Sequence, residues 1–241
     1  MIRKFDKYKR ESEYSFSLGI FPTFELIKKK TEQVECVFVH SKLKQGEDID
    51  KLYGLCKQHN IEIIQDDKQI SKLSDKDNCF VVGVFRKYNS QLAGKKHIVL
   101  DNPSDMGNLG TIMRTMLGFG IKDLVVTTPC VDYFSPKVVR ASMGAVFSLN
   151  IVEYTSLDDY LKSNNLEKYF FMLNGKYSLG SFETPKDNYA LVFGNEARGL
   201  DNGLLNADGK SVVIKHTNNI DSLNLPISVG MAIYEFNHKL M

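Results

Sequence analysis

The sequence predicts an α/β protein in two parts, a small α/β domain followed by a larger domain with a mostly parallel sheet. Short apolar runs rich in Val, Ile and Phe alternate with helical patterns along the chain, which is typical of parallel strands covered by helices. The polar, basic segment RKYNSQLAGKK interrupts this alternation. A chain of 241 residues with 43% hydrophobic content can bury the cores that both parts need.

The front part alternates regularly from Val34 onward. The run VECVFV is followed by the helical pattern DIDKLYGLCKQH, the run IEII, the pattern KQISKL and the run CFVVGVF. The first helical pattern places one group of side chains at the spacing of a buried helix face, so we predict a structural role for them. They are Ile49, Leu52, Tyr53 and Cys56.

A domain boundary is predicted just before His97. We assign residues 1–90 to the first domain and residues 91–96 to a linker, because this segment is polar and basic and carries Gly94. Residues 97–241 then form the second domain.

The second domain begins with the strand-like run HIVLD, the turn-rich segment NPSDMGN and the helical run LGTIMRTMLGFG. The alternation continues through DLVVT, SPKVVRASMGAVF, LNIVEY, SLDDYLKS, KYFFML, YALVFG and GKSVVIK. A long helix is predicted from about Ser222 to Lys239. Strands that alternate with helices in this way indicate a mostly parallel sheet with helices on both faces.

Composition argues against several classes of protein. No stretch reaches the 18 apolar residues of a membrane span, and the N-terminus lacks an apolar signal-peptide core, so we expect a cytoplasmic protein. The four cysteines are widely spaced without a CxxC pair, so we expect reduced, mostly buried thiols. The histidines form no HxxxH pair, and no metal cofactor is indicated.

Charge is distributed unevenly between the two parts. Residues 1–96 hold 19 Lys and Arg against 14 Asp and Glu, and residues 97–241 hold 12 against 15, so the net charges are +5 and −3. The front part is therefore the candidate for contacting a polyanion such as RNA. A solvated lysine-rich helix or arm explains the same charges. The candidate contacts are Arg3, Lys4, Arg10 and Lys28.

Ligands of parallel sheets bind beyond the carboxyl ends of the strands, so the loops after HIVLD, YALVFG and SVVIK are the predicted site. The first loop combines Pro103, Gly107 and Gly110, and Asn108 could cap the helix that carries Arg114. Alone, such a glycine-bearing turn before a helix is a generic anion or nucleotide loop.

The second loop, LVFGNEARGL, contains two glycines, which indicate close backbone approach or positive φ. Its Glu196 is either a functional acid or a turn residue paired with Arg198. The third loop precedes a helix that Asp221 or Ser222 could cap, and Pro226 falls in the first turns, where proline is tolerated.

Together the three loops resemble the SpoU/TrmH family of RNA methyltransferases in the knotted SPOUT superfamily. The segment NLGTIMRT matches the first motif with Asn108, Gly110 and Arg114, and LVFGNEARGL matches the second. The third motif is matched by SLNLPISVGMAI, which begins at Ser222. The resemblance spans about 97–241, and the front part resembles, more loosely, the family's L30e-like substrate-binding domain.

The resemblance implies a deep trefoil knot, S-adenosylmethionine as methyl donor, S-adenosylhomocysteine as product and the 2′-hydroxyl of an RNA ribose as acceptor. It favours ribosomal over transfer RNA, and it implies a homodimer through the knotted domain. By the same resemblance the catalytic residues are Asn108, Arg114, Glu196, Ser222 and Asn224, and the cofactor contacts are Asn174, Gly194, Ile214 and Leu223. The chain departs from the family at Lys215 and His216, where relatives usually have Pro-Met.

Arginine stays protonated above pH 12, so Arg114 is a demanding choice for a general base. We expect Arg114 instead to clamp an RNA phosphate and to stabilise the developing alkoxide, while that phosphate, or Glu196 through water, takes the proton. The alternatives are a transfer RNA ribose methyltransferase, a base methyltransferase and a non-catalytic RNA-binding factor on the same fold.

Overall fold

The computed structural model describes residues 4–76, 78–181 and 187–238, so the predicted RNA contact Arg3 lies outside the described residues. The chain divides into two compact units. The first unit is formed by the chain up to Tyr88 together with Asp132–Ser148, and the second by Asn89–Val131 and the chain from Leu149 onward.

The first unit is a four-stranded sheet with helices. Its elements are β1 (Tyr14–Leu18), α1 (Ile20–Lys29), a 3-10 turn (Thr31–Gln33), β2 (Val34–Val39), α2 (Glu47–Gln58), β3 (Ile63–Gln65), α3 (Asp67–Leu73), β4 (Val81–Arg86), α5 (Pro136–Ala141) and a second 3-10 turn (Ala145–Ser148). The strand order is β1-β4-β2-β3. Strand β4 runs antiparallel to both of its neighbours, and β2 runs parallel to β3.

The predicted alternation in this unit is confirmed from β2 to β4. One core assignment is wrong, because Tyr53 on α2 is 44% exposed whereas Leu52 and Cys56 are fully buried. Adjacent residues on a helix point about 100° apart, so the narrow buried stripe takes Leu52 and leaves Tyr53 at its margin.

The segment Asp132–Ser148 belongs to the first unit, although the sequence analysis included these residues in the second domain. Its aromatic side chains explain the packing. The ring of Phe85 in β4 lies 5.8 Å from that of Phe134 and 5.0 Å from that of Phe147. The Ser15 hydroxyl also donates to the carbonyl of Phe134 at 2.5 Å. This insertion joins the first unit because its apolar side chains complete that unit's core.

The second unit contains a seven-stranded sheet. Its elements are β5 (Lys96–Leu100), α4 (Met106–Gly118), β6 (Asp123–Thr127), β7 (Asn150–Tyr154), α6 (Leu157–Lys162), β8 (Glu167–Phe171), β9 (Tyr177–Ser178), β10 (Tyr189–Phe193), a 3-10 turn (Asn202–Asn206), β11 (Lys210–Val213) and α7 (Leu225–His238). The order is β7-β6-β5-β10-β8-β11-β9, and all neighbours are parallel. The predicted α/β class and parallel sheet are therefore confirmed.

The central strands end level with one another. Phe193, the last residue of β10, pairs with Leu100 of β5 and with Phe171 of β8. Because these strands are parallel, the loops that follow them leave the same edge of the sheet. Helix α7 packs on the sheet through Phe236, whose ring lies 4.7 Å from that of Tyr169.

None of the helices in the described ranges is both long and apolar enough to cross a membrane. All four cysteines are buried, and none of them forms a disulfide. The trefoil knot stays a prediction of the family resemblance.

Candidate functional site

A cavity of about 810 Å³ opens at the carboxyl edge of the parallel sheet. The ends of three strands, β8, β10 and β11, contribute to this strand-end cavity. The residues that line it are Asn108, Phe171, Met172, Leu173, Asn174, Phe193, Gly194, Asn195, Glu196, Ala197, Arg198, Gly199, Leu200, Asn202, Val212, Val213, Ile214, His216, Ser222, Leu223, Asn224, Leu225 and Ser228. The rings of Phe171 and Phe193 stack at 4.4 Å with an interplanar angle of 13°. Apolar strand ends therefore form one wall, and asparagine-rich loops form the rim.

The structure brings together eight of the nine side chains or loop positions predicted for catalysis and cofactor binding. Those that line the cavity are Asn108, Asn174, Gly194, Glu196, Ile214, Ser222, Leu223 and Asn224. These residues come from four separate segments of sequence, and the level ends of the parallel strands bring the segments together. Their chemical roles stay predictions.

Arg114 is the exception, because it does not line the strand-end cavity. Its side chain is exposed on α4. Asn108 lies six residues earlier on the same helix, which corresponds to a separation of about 9 Å along the axis and a rotation of about 120°. A side chain at Arg114 therefore projects from a different face of α4 than Asn108 does.

The first turn of α4 is capped by Asp105, and the predicted cap at Asn108 is wrong. The Asp105 carboxylate accepts from the backbone N–H of Asn108 at 2.7 Å, which satisfies one of the free donors at the helix start. Asn108 is consequently already helical, three residues after the cap. Its side-chain amide is free to point at the neighbouring loop, where it donates to Glu196 Oε1 at 3.3 Å.

Glu196 is surrounded by hydrogen-bond donors. Its Oε2 accepts from the Ser104 hydroxyl at 2.8 Å and from the Ser104 backbone N–H at 3.2 Å, and Oε1 accepts from the Asp105 N–H at 3.3 Å. Partial burial acts to raise the pKa of this carboxyl, but the hydrogen bonds from Glu196's own backbone, Ser104 and Asn108 outweigh it and lower the pKa. Glu196 is therefore an ionised carboxylate that ties the loop after β10 to the loop after β5.

Asn195 shapes the loop that contains Glu196. Its side-chain oxygen accepts from the N–H groups of Ala197 at 3.0 Å and Arg198 at 3.3 Å, while its side-chain nitrogen donates to the Asn102 carbonyl at 2.8 Å. Arg198 donates to the Asn102 side chain at 3.2 Å. Arg198 therefore bonds to Asn102, and Glu196 accepts hydrogen bonds from Ser104, Asp105, Asn108 and Asn195.

Gly194 is required by the close approach of two backbone segments. A Cβ atom there would lie 2.1 Å from the carbonyl carbon of Gly199 and 2.4 Å from the backbone nitrogen of Leu200. Gly199 itself has φ +69, a conformation that glycine adopts without strain. The predicted reason for the two glycines is therefore confirmed, with close approach at Gly194 and positive φ at Gly199.

The third loop ends where α7 begins at Leu225, three residues later than predicted. Asn224, not Ser222, directly precedes the helix, and its carbonyl accepts from the backbone N–H of Ser228 at 3.0 Å. Pro226 is the second helical residue, as predicted, where its missing N–H breaks no helical bond. Ser222 and Asn224 are both exposed at the cavity rim.

The remaining predicted RNA contacts belong to the first unit. Lys4, Arg10 and Lys28 are all exposed, and the ammonium group of Lys28 lies 5.4 Å from the centre of the Phe24 ring. Exposed cations of this kind fit both RNA binding and simple solvation.

Three residues were not selected from the sequence: Asn102 and Ser104, which hydrogen-bond to residues of the cavity wall, and His216, which lines the cavity. Asn102 has φ 50, and only the turn-rich composition of NPSDMGN signalled the importance of this loop. Ser104 gave no signal of its own, because its partner Glu196 lies 92 residues away. His216 was noted only as a departure from the family pattern, and it lines the cavity.

Within the described parts of the chain, no group of three or more His, Cys, Asp and Glu side chains could hold a metal ion. The cavity instead presents amides, hydroxyls, backbone groups and apolar surface. This lining suits an organic ligand with both an apolar ring system and polar ends.

Comparison with known proteins agrees with the position of this site. A sequence model described as the SpoU rRNA Methylase family matches residues 95–234. A protein of Synechocystis named as an uncharacterized tRNA/rRNA methyltransferase is 32% identical over 141 residues, covering 57% of this chain and 51% of that protein. The 23S rRNA (adenosine(1067)-2′-O)-methyltransferase of Streptomyces laurentii is 29% identical over 140 residues, covering 57% and 52%. The matches thus span about half the length of these curated relatives.

Solved structures resemble the whole chain. The AdoMet-bound rRNA methyltransferase of Sinorhizobium meliloti superposes with a TM-score of 0.81 at 23% identity, covering 96% of this chain and 89% of that one. The SpoU methyltransferase AviRb of Streptomyces viridochromogenes, in complex with AdoMet, gives a TM-score of 0.82 at 20% identity, covering 95% and 91%. At these identities the likeness shows a shared fold.

Proposed function

The chain belongs to the SpoU rRNA methylase family, and from this premise we propose that it transfers a methyl group from S-adenosylmethionine to the 2′-hydroxyl of a ribose in RNA. The observation that carries the proposal is the strand-end cavity. There the three family motifs, which are distant in sequence, supply Asn108, Glu196 and Asn224 to the lining of one cavity.

The cavity suits S-adenosylmethionine as a methyl donor. Its volume of about 810 Å³ lies within the usual range for small-molecule sites, roughly 300–1,000 Å³. The apolar wall around Ile214 and Leu223 fits an adenine ring, and backbone groups near Gly194 and the Asn174 amide fit its polar edges. When bound, S-adenosylmethionine supplies a methyl group on a positively charged sulfur.

The residues of the chain align the acceptor and hold the loops. Displacement at a methyl carbon requires the hydroxyl oxygen in line with the departing sulfur, so rigid loops are the main requirement. We assign this rigidity to Glu196, whose hydrogen bonds join the loops after β5 and β10. Asn224 and Ser222, at the start of α7, are proposed to orient the ribose or the methionine end of the donor.

Arg114 is proposed to bind the RNA phosphate beside the target ribose and to stabilise the developing alkoxide. A guanidinium suits this role because it stays protonated and presents several N–H donors. Since Arg114 lies outside its own cavity, we propose that Arg114 of the partner subunit completes each site in a homodimer.

An apolar stripe on α7 supports the homodimer. Ile227, Met231 and Tyr234 are 56%, 42% and 58% exposed, and their spacing places them on one helix face. Exposed apolar patches of this kind mark association surfaces. We propose that this stripe (Ile227, Met231 and Tyr234) packs against its copy across a two-fold axis, because the same patch on both subunits is self-complementary.

Ribosomal RNA is the proposed substrate, with the basic first unit as the substrate-binding part and the cytoplasm as the compartment. Of the relatives compared above, the Streptomyces laurentii protein is named as a 23S rRNA methyltransferase. The exposed Lys4, Arg10 and Lys28 of the first unit are suited to phosphate contacts, which supply sequence-independent affinity. Specificity for one nucleotide then rests on the shape of the RNA around it.

The test combines binding with product analysis. S-adenosylmethionine is titrated into the purified chain by calorimetry, and labelled methyl transfer is measured on ribosomal and transfer RNA from cells that lack the protein. We expect binding, transfer to ribosomal RNA and one phosphodiester bond that resists alkali, because a 2′-O-methyl group removes the nucleophile of RNA cleavage. Binding without transfer favours the non-catalytic RNA-binding factor. Transfer with complete alkaline cleavage favours base methylation.

A further inference from the structure

Asn102 joins three loops at the carboxyl edge of the sheet, although it lies outside the lining of the strand-end cavity. It follows β5, and its side-chain nitrogen donates to the carbonyl of Thr128, just after β6, at 2.6 Å. Its side-chain oxygen accepts from Nη2 of Arg198 at 3.2 Å, and its backbone carbonyl accepts from the Asn195 side chain at 2.8 Å. Asn102 thus links the loop after β10 to β6, a strand that contributes no residue to the cavity lining.

The hydroxyl of Thr127, the last residue of β6, holds the backbone of Asn102. Its oxygen accepts from the Asn102 N–H at 3.0 Å, and the hydroxyl donates to Oδ1 of Asp101 at 2.5 Å. Thr127 is fully buried, so water would not replace a partner that is lost here. Asn102 itself has φ 50, a left-handed conformation that asparagine tolerates better than most residues with a side chain. The Thr127 hydroxyl therefore stabilises a backbone conformation that few residue types adopt.

The turn that Asn102 holds is part of the cavity wall. Asn195 and Arg198 both line the strand-end cavity, and the N–H of Gly199 donates to the carbonyl of Asn195 at 2.8 Å, which closes the turn. The backbone groups near Gly194, which we propose as contacts of the methyl donor, directly precede this turn. A binding wall that is already fixed before the ligand arrives costs less conformational entropy on binding.

We propose that Asn102 and Thr127 are positioning residues for the methyl donor, and this inference rests on the proposed methyltransferase function. They hold the turn from Asn195 to Gly199 in the shape that binds the donor. Neither residue lines the cavity, so both act through the loop after β10. Loss of either anchor should therefore weaken donor affinity and leave the chemical step of the bound donor unchanged.

The first test compares Thr127→Val with Thr127→Ser. Valine keeps a similar shape but removes the hydroxyl, so the Asn102 N–H loses its acceptor, whereas serine retains the hydroxyl. The dissociation constant for S-adenosylmethionine, measured by calorimetry, should rise about 3- to 10-fold in T127V, as expected for the loss of one buried hydrogen bond. It should stay within about twofold of wild type in T127S. Single-turnover methyl transfer to ribosomal RNA at saturating donor should stay within about threefold of wild type in both variants.

The matched control is Thr23→Val in the first unit. Thr23 is also fully buried, and its hydroxyl donates to the carbonyl of Gly19 at 2.7 Å. T23V should lower the midpoint of urea unfolding, as T127V does, but should bind the donor as wild type does. If Thr127 only supported the fold, T127V would show this same pattern, and that result overturns the inference.

The second test is Asn102→Gly, which preserves the backbone conformation. Glycine adopts φ 50 without strain and keeps the backbone hydrogen bonds, so the variant removes only the side-chain bonds to Thr128 and Arg198. The dissociation constant for the donor should again rise about 3- to 10-fold, at an unchanged saturated rate. Asn60→Gly is the control, because Asn60 is an exposed asparagine with φ 53 in the first unit, and it should leave donor binding unchanged.

Two results contradict the inference while the proposed function stands. One is wild-type donor affinity in T127V or in N102G, and N102G decides alone if T127V does not fold. The other is a lower saturated rate at an unchanged donor affinity, which would give these residues a part in the chemical step. If the wild-type chain neither binds S-adenosylmethionine nor transfers a methyl group, the proposed function fails and the inference fails with it.

Discussion

The side-chain amide of Asn108 donates a hydrogen bond of 3.3 Å to Oε1 of Glu196. This contact joins the first turn of α4 to the loop after β10, and it links two of the three family motifs directly. Glu196 thereby has a structural task that follows from its position, whatever its part in catalysis. The contact also explains why an acid follows the Gly-Asn pair of this loop, since a carboxylate can accept several donors at once.

Glu196→Gln should lower both stability and donor affinity. The glutamine amide would turn N–H donors toward the Ser104 and Asp105 donors, so at least one hydrogen bond is lost. We expect the free energy of unfolding to fall by about 1–2 kcal/mol, because partial exposure to water screens the contact. Urea unfolding measures this change. Asp158→Asn, which removes a surface pair with Lys162, should change the free energy by less than about 0.5 kcal/mol. Equal effects of the two substitutions would argue against an anchoring role for Glu196.

The same carboxylate should contribute to acid sensitivity. Its pKa is lowered in the folded protein, so the unfolded chain binds the proton more readily. The stability that Glu196 contributes is therefore fully present above its usual value of 4.5 and is lost as pH falls through the lower folded pKa. Urea midpoints measured from pH 6 down to pH 3 should decline less steeply in E196Q than in wild type.

Gly194→Ala should damage the site more than an alanine elsewhere. The added Cβ would overlap the backbone of Gly199 at 2.1 Å, and backbone cannot rotate away as a side chain does. We expect a loss of about 1–3 kcal/mol in stability and loss of measurable S-adenosylmethionine binding by calorimetry. Gly54→Ala is the matched control, because nothing lies within 4 Å of its added Cβ, and alanine in a helix should stabilise by about 0.5–1 kcal/mol. Normal donor binding in G194A would contradict the backbone role of this glycine.

Arg114→Ala should reduce turnover without weakening donor binding. Arg114 is exposed and lies outside the cavity, so its loss leaves the cavity intact, while turnover should fall about 10²- to 10³-fold through loss of charge stabilisation. Lys122→Ala, at another exposed cation of the second unit, is the control and should leave turnover unchanged.

Mixing R114A with G194A separates sites within one chain from sites shared between subunits. If the partner's Arg114 completes each cavity, a mixed dimer has one intact site, and random exchange should restore about one quarter of wild-type activity in a two-fold dimer. No recovery on mixing would indicate that each chain forms its site alone.

Met231→Glu should weaken the proposed homodimer. Met231 is 42% exposed in the α7 stripe, so a carboxylate is tolerated in the free chain but becomes costly when buried against a second copy. Light scattering after size exclusion should show a dimer for wild type and a monomer for M231E. Tyr53→Glu changes a side chain with a similar exposure of 44% on α2 and should leave the dimer intact. A dimeric M231E would place the interface elsewhere.

His97, a base that burial holds neutral, should also make stability fall at acid pH. Burial lowers its pKa below 6.5, although Asp123 and the Gly94 carbonyl act to raise it. The unfolded chain therefore binds the proton first as pH falls, and stability should decrease from about pH 6.5 downward through the folded pKa, by at most about 1.4 kcal/mol per pH unit. His97→Gln should reduce this slope in urea unfolding, and His59→Gln should retain it.

Much of the fold could be predicted because local pattern and strand composition agree along this chain. The run DLVVT is β6 at the predicted residues, since fully buried parallel strands show as continuous apolar runs. The small strand β9 at Tyr177–Ser178 could not be predicted in this way. A two-residue strand has no periodicity, and its pairing with β11 is decided by the partner.

The candidate site, too, could be predicted only in part from the sequence. The two glycines and the acid of LVFGNEARGL indicated an unusual loop, because glycine is needed where backbone segments approach closely or φ is positive, and because the acid brings a charge. Its partners at Ser104 and Asn102 could not be identified, since the contacts that matter are formed across nearly a hundred residues of chain.

Sequence by itself determined the α/β class, the parallel sheet and the three loops that line the cavity, because hydrophobic period, glycine positions and motif order are local properties. Tertiary structure decided how those loops are used. It placed Arg114 outside the cavity. It also surrounded the Glu196 carboxylate with hydrogen-bond donors and brought Nδ1 of His216 close to a backbone carbonyl. These outcomes depend on distances between segments that are remote in sequence, and only the packed strands and helices set those distances.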